Sequence, residues 1–153
     1  MKKIKVEIVG ISPLLMHSAE KMQLQTAKKN PAKQYDIKKD AEDVAYRTKK
    51  GFLYVPSRCV KACFVNGASW YKFGNKSAKP IVAGCTRIEP YEILLLNGKG
   101  KSLKEYEIDL RPVVIQRARI MRARPRIDEW RLQFEIIYND EIIQDTDILK
   151  KIL

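Results

Sequence analysis

The chain opens on a two-residue alternation. Ile4, Val6 and Ile8 fall on one side and Lys3, Lys5 and Glu7 on the other, which predicts a half-buried strand over residues 4–9. Gly10 relaxes the pattern, and Ile11-Ser12-Pro13-Leu14-Leu15-Met16 continues as an apolar exit in which Pro13 suits a strand end or edge. Residues 18–50 lose the alternation. Lys21, Lys28, Lys29, Lys33, Lys38, Lys39, Lys49 and Lys50 are interleaved there with Gln, Asn and Ala, a composition that predicts a mobile surface insertion. One short helix is predicted inside it, where Ile37, Ala41, Val44 and Ala45 recur at helical spacing. Phe52-Leu53-Tyr54-Val55 reads as a short strand. Ser57 then caps a helix running to about Trp70, with Cys59, Val60, Cys63, Phe64, Gly67 and Ala68 as its buried stripe.

Residues 72–80 are a loop by composition, and 81–88 are strand-like. Glu92-Ile93-Leu94-Leu95-Leu96 is a further strand closed by the hairpin dipeptide Asn97-Gly98. Tyr106 to Leu110 leads into an arginine-rich run. After it, Trp130, Leu132, Phe134, Ile136 and Tyr138 make a clean period-2 face opposite Arg131, Gln133 and Glu135. Asp145 or Thr146 caps a last helix with apolar positions Ile148, Leu149, Ile152 and Leu153. That helix has no Gly or Asn after it and no following strand, which leaves two readings, a frayed terminal helix or a chain that continues.

With 153 residues and 45% apolar content, the chain is long enough for a single domain spanning 1–153 that folds without disulfides or metal. No apolar run approaches the ~20 residues of a membrane span, and charge interrupts the N-terminus where a signal peptide would be apolar. Three cysteines do not make a disulfide framework. A cytoplasmic location and no membrane partner follow as expectations. The excess of 30 Lys and Arg over 18 Asp and Glu, a net charge of +12, changes the picture by making a polyanion the leading partner class.

Distribution sharpens this. Seven of the ten arginines lie between Arg111 and Arg131, opposed there only by Asp128 and Glu129. On a straight strand Arg117 and Arg119 share one face, while Arg122, Arg124 and Arg126 share the other. Burying either set unpaired would cost several kcal/mol per charge. A β-bulge at Ile120-Met121 would restore one arginine face, so a bulge or break is predicted there. Arginine suits bidentate phosphate contacts and stacking on bases. The candidate nucleic-acid-binding set is therefore Arg111, Arg117, Arg119, Arg122, Arg124 and Arg126, assisted by Lys99 and Lys101 in the preceding turn. Tyr54, Tyr71, Phe73, Tyr91, Tyr106 and Tyr138 are candidates for stacking, whereas Trp70, Trp130 and Phe134 read as structural. The competing interpretation of the run is a salt-bridged sheet face.

Enzyme chemistry finds little support. His17 is the one histidine and has no companion in sequence for a catalytic dyad or triad. Cys59, Cys63 and Cys85 lack zinc-ligand spacing, and Asp36, Asp40, Glu42 and Asp43 read as the solvated face of the short helix. No glycine-rich phosphate loop is present, so no catalytic residue, metal or cofactor is assigned.

The strand running into Ser12-Pro13-Leu14-Leu15-Met16-His17, followed by Phe52-Leu53-Tyr54-Val55-Pro56-Ser57 opening a helix, resembles the RAMP superfamily of RNA-binding subunits in CRISPR effector complexes. Arg111-Pro112-Val113-Val114-Ile115-Gln116 through Arg124-Pro125-Arg126-Ile127-Asp128-Glu129-Trp130 is similar to small phage- and prophage-encoded proteins of unassigned role. The resemblance implies an α+β, ferredoxin-like (RRM-like) antiparallel sheet with helices on one face and the long strand pair as its central hairpin. A closing strand and a glycine-rich segment, usual in such relatives, are absent. It also implies non-catalytic binding of single-stranded RNA or DNA, by a homo-oligomer or within a larger ribonucleoprotein assembly. Two other functions stand beside this one: an assembly or inhibitor protein docking an acidic protein partner, and a metal-independent ribonuclease using His17.

Overall fold

A computed structural model of the chain describes residues 1–18, 36–115 and 118–153. In chain order the elements are β1 (Lys2–Val9), β2 (Leu14–Leu15), α1 (Ile37–Asp43), β3 (Tyr54–Pro56) and α2 (Ser57–Gly67), the last followed by a 3-10 turn at Ala68–Trp70. They continue with β4 (Lys72–Phe73), β5 (Lys76–Ser77), α3 (Ala78–Cys85), β6 (Thr86–Glu89), β7 (Glu92–Leu96), β8 (Glu107–Ile115), β9 (Ala118–Ile127), β10 (Arg131–Tyr138) and α4 (Thr146–Ile152). The fold is mixed α+β, with antiparallel pairing at every register given below. No helix among the described residues is long and apolar enough to cross a membrane. Two compact units divide the chain, one built from Met1–Ile8, Val55–Leu94 and Leu132–Leu153, the other from Val9–Tyr54 and Leu95–Arg131.

The first unit carries a sheet of order β1-β10-β7-β3, with β6 antiparallel to β10. Period-2 burial explains β10: Leu132, Phe134, Ile136 and Tyr138 are all buried, and Gln133 and Glu135 point outward. On α2, Val60 and Phe64 are buried as the helical spacing requires. Cys63, assigned to the same buried stripe, is exposed instead. The cap lies one position earlier than expected: Pro56 is the N-cap, and the Ser57 amide donates to Tyr91 O at 2.8 Å. Trp70 is 88% exposed rather than structural.

Residues 81–88 correct the strand-like expectation. Most of that stretch is α3, and only Thr86 onward is extended. Ile81, Val82 and Cys85 also fit helical spacing, and Pro80 lies in the first turn, where its missing N–H costs nothing. The helix end is then fixed from outside. Lys61 Nζ donates to Val82 O at 2.8 Å and to Thr86 O at 2.6 Å, placing a cation on the terminal carbonyls. Burial there lowers the Lys61 pKa.

The second unit is built on a three-stranded sheet, β2-β9-β8. The long strand pair thus lies in a sheet with β2 and, among the described residues, forms no ladder with β1, unlike the central hairpin the resemblance implied. Residues 19–35 of the lysine-rich segment lie outside the described residues. Its later part is ordered: Asp36 caps α1 by accepting from the Lys39 amide at 3.1 Å, and Ala41, Val44 and Ala45 are buried as their spacing predicts. The Asn97 side chain accepts from the amides of Lys99 and Lys101, both at 2.9 Å, and builds the turn after β7. Gly100, at φ 76°, takes the left-handed position in that turn.

Gly10 is where the chain passes Trp130. Its amide donates to Trp130 O at 2.9 Å, the indole N–H donates to Ser12 O at 2.9 Å, and an added Cβ would lie 2.2 Å from the ring. Gly10→Ala is expected to destabilise the protein by about 1–3 kcal/mol through overpacking, read as a lower urea midpoint at unchanged m-value.

Candidate nucleic-acid interface

Strands β8 and β9 pair without interruption from Glu107↔Arg126 to Ile115↔Ala118, passing through Pro112↔Met121 and Val113↔Ile120. The predicted bulge at Ile120-Met121 is therefore absent. Period-2 geometry then separates the arginines. Arg122, Arg124 and Arg126 share one face with Arg111, Asp109 and Glu107 of the neighbouring strand. Arg119 lies on the opposite face, and Arg117 lies outside the described residues. The expected single arginine face does not form. Register is the cause, because closing the hairpin at Ile115↔Ala118 leaves no residue over for a bulge.

Carboxylates solve the problem that the bulge was invoked to solve. Arg122 Nη1 lies 3.4 Å from Asp40 Oδ1, with only 13% and 11% of the two side chains exposed. The other Asp40 oxygen accepts from the Ala123 amide at 3.0 Å, satisfying a β9 edge donor where β2 has ended. Arg111 Nε pairs with Asp109 at 2.9 Å, and Arg126 Nε with Asp128 at 2.6 Å. The Asp128 hydrogen bond is also the first cause of a raised Arg126 pKa. Asp40 thus belongs to this face and not to a solvated helix surface. Glu42, from the same acidic cluster, is taken by the Arg47 guanidinium and by Tyr106 OH at 2.7 Å. Burial, then Glu42, pushes the Tyr106 pKa to about 12.

His17 has no companion in sequence, but the fold brings it to this cluster. The Met16 amide donates to Pro125 O at 3.0 Å, which holds the chain against β9. Burial first, then the Arg124 and Arg122 charges, lower the His17 pKa, with Asp40 acting in the opposite direction. The sequence signal for this was weak, an apolar strand exit followed by the only histidine.

Further cations of the unit stay in water. Lys99 and Lys101 are exposed in the Asn97 turn, and Arg119 is exposed on β9. None of the three makes an ion pair among the described residues. Of the stacking candidates, Tyr138 is buried, Tyr106 is bound to Glu42, Tyr54 packs on Tyr46 at 5.7 Å, and Tyr71 OH donates to Lys151 O. Tyr91 is 60% exposed.

The first unit offers a different surface. A groove of about 1130 Å³ is lined by Lys5 and Arg87 but also by Glu7, Glu89 and Glu135. Lys3 pairs with Glu135 at 3.0 Å and Arg87 with Glu89 at 2.9 Å, so this groove holds no surplus of cations. By sequence, the second unit contains nineteen Lys and Arg against ten Asp and Glu, and the first eleven against eight. The second unit thus holds +9 of the +12.

No family model, curated protein or solved structure matches the chain. Among the described residues no group of three or more His, Cys, Asp and Glu is placed to hold a metal.

Asp40→Ala should lower stability by about 2–3 kcal/mol in urea unfolding, because it strips Arg122 and the Ala123 amide of their acceptor together. Asp40→Asn, which keeps an acceptor, should cost less. His17 gives a pH dependence of known sign. The unfolded chain binds its proton near 6.5 while the folded protein resists until lower pH, so acidification through that range favours unfolding. Unfolding free energy should fall between pH about 7.5 and about 5.5, and fall less in His17→Gln.

Proposed function

We propose that the protein binds single-stranded nucleic acid, RNA foremost, without catalysing a reaction on it, and that the strand runs over the second unit. The observation carrying this reading is the concentration of +9 in that unit against a balanced groove in the other. Lys99, Lys101 and Arg119, exposed and without carboxylate partners among the described residues, are the principal backbone contacts. Arg111 and Arg126 contribute through guanidinium edges that their carboxylates leave open, and Arg117 completes the set. The paired arginines position the surface more than they attract phosphate, since each is already largely neutralised.

On the same footing we read the first unit as a ferredoxin-like core of RAMP type, in a small phage- or prophage-encoded relative. Its setting would be the cytoplasm of a prokaryotic cell or phage-infected host, as a homo-oligomer or part of a ribonucleoprotein assembly. The passage of β3 through Pro56-Ser57 into α2 supports this. One observation favours a second function, docking of an acidic protein partner. Ile108, Leu110, Val114 and Met121 share one hairpin face with Arg119 and are 37%, 40%, 68% and 43% exposed, the mixture of apolar and Arg groups found in interface cores.

Filter binding of a single-stranded oligoribonucleotide over a salt series separates the two. Binding should weaken with a log–log slope of roughly −0.7 per phosphate neutralised. Replacing Lys99, Lys101 and Arg119 together by Ala should flatten that slope by about 2, three such contacts. A salt-insensitive complex, or a slope unchanged in the triple variant, would refute the interface, and absence of any oligonucleotide complex would favour the protein partner.

A further inference from the structure

One guanidinium on the arginine face makes no ion pair among the described residues. Asp109 holds Arg111, Asp40 holds Arg122, and Asp128 holds Arg126. Arg124 lies between the last two and makes no ion pair or hydrogen bond among the described residues, although its Nε is buried. Asp109 stands directly across the hairpin from it, but that carboxylate gives an oxygen to Arg111 Nε at 2.9 Å. Both Asp40 oxygens are occupied as well, by Arg122 and by the Ala123 amide. A buried Nε without an acceptor is costly to hold, and such groups in native proteins commonly take an ion or a water.

We propose that Arg124, flanked by Arg122 two residues along the same strand face and by His17, forms an anion subsite for a phosphate group. Resting on the nucleic-acid function above, its occupant in the complex is a backbone phosphate of the bound strand. Two arginines at i and i+2 stand about 7 Å apart on a strand and can donate to a tetrahedral group from two sides, a geometry that lysines fit less well. His17 adds a donor that need not carry charge, because burial and the two guanidiniums favour its neutral form. Asp40 on α1 and Asp109 and Glu107 on β8 are the opposing charges on this face; Asp40 and Asp109 each already serve another arginine, and Glu107 stands across from Arg126.

The chain's single histidine makes the test direct. Its imidazole resonances can be followed by NMR through a pH series, at constant ionic strength, with inorganic phosphate or with a short oligouridylate. An anion at Arg124 should raise the His17 pKa and shift its signals saturably, and Arg124→Gln should abolish both effects. Arg124→Lys, which keeps charge without the fork, should leave a weaker response. The wild-type titration stands even if a variant fails to fold.

A response to either ligand supports the subsite. Response to inorganic phosphate while the oligonucleotide binds without touching His17 keeps the subsite and overturns its assignment to the strand. Oligonucleotide binding by filter assay, with His17 unmoved by both ligands, overturns the subsite and leaves the nucleic-acid function standing. Phosphate response with no oligonucleotide complex at any salt refutes that function and leaves the subsite.

Discussion

Everything distinctive in the second unit depends on the uninterrupted register between β8 and β9. Pairing that never slips fixes the face of the side chains at 107–114 and 119–126. Arginines at both odd and even positions of β9 then cannot share one side, and those at 122, 124 and 126 need acceptors close at hand. Two of the three find them, Arg126 at Asp128 two residues beyond and Arg122 at Asp40 from a helix eighty residues earlier in the chain, while Asp109 holds Arg111 on its own strand.

That solution makes the hairpin a poor magnet and a better frame. An arginine in a carboxylate's grip presents less field to a polyanion than its formal charge suggests. The unit's attraction therefore comes from the cations that the sheet does not neutralise, chiefly the Asn97 turn lysines and Arg119. Most aromatic side chains are committed to packing or hydrogen bonds in the same way. In the proposed function electrostatic attraction thus outweighs base stacking, since charge of that kind selects polyanions as a class more than any sequence.

Asp40 shows how one side chain joins local structure to the interface. It lies beside Ala41 on the inner stripe of α1, closes the edge of β9 at Ala123, and restrains Arg122. The same arrangement brings His17 within the field of two guanidiniums, and Arg124 makes no ion pair among the described residues.

Local pattern was enough for much of the architecture. Alternation in residues 4–9 and 130–138, the helical spacing of Ile37, Ala41 and Val44, the cap at Asp145 and the turn at Asn97 each depend on neighbours within a few residues, and each is visible in one dimension. The charge excess was equally plain. Ambiguous windows went the other way: 81–88 satisfied both helix and strand spacing, and Lys61, twenty-one residues upstream of Val82, stabilised the helix end. The position of hairpin closure, and with it the faces of the arginines, could not be read from the run itself, since a bulge and a straight strand need the same residues. Which carboxylate meets which arginine was decided by tertiary structure alone, because Asp40 and Arg122 become neighbours only after α1 docks on β9.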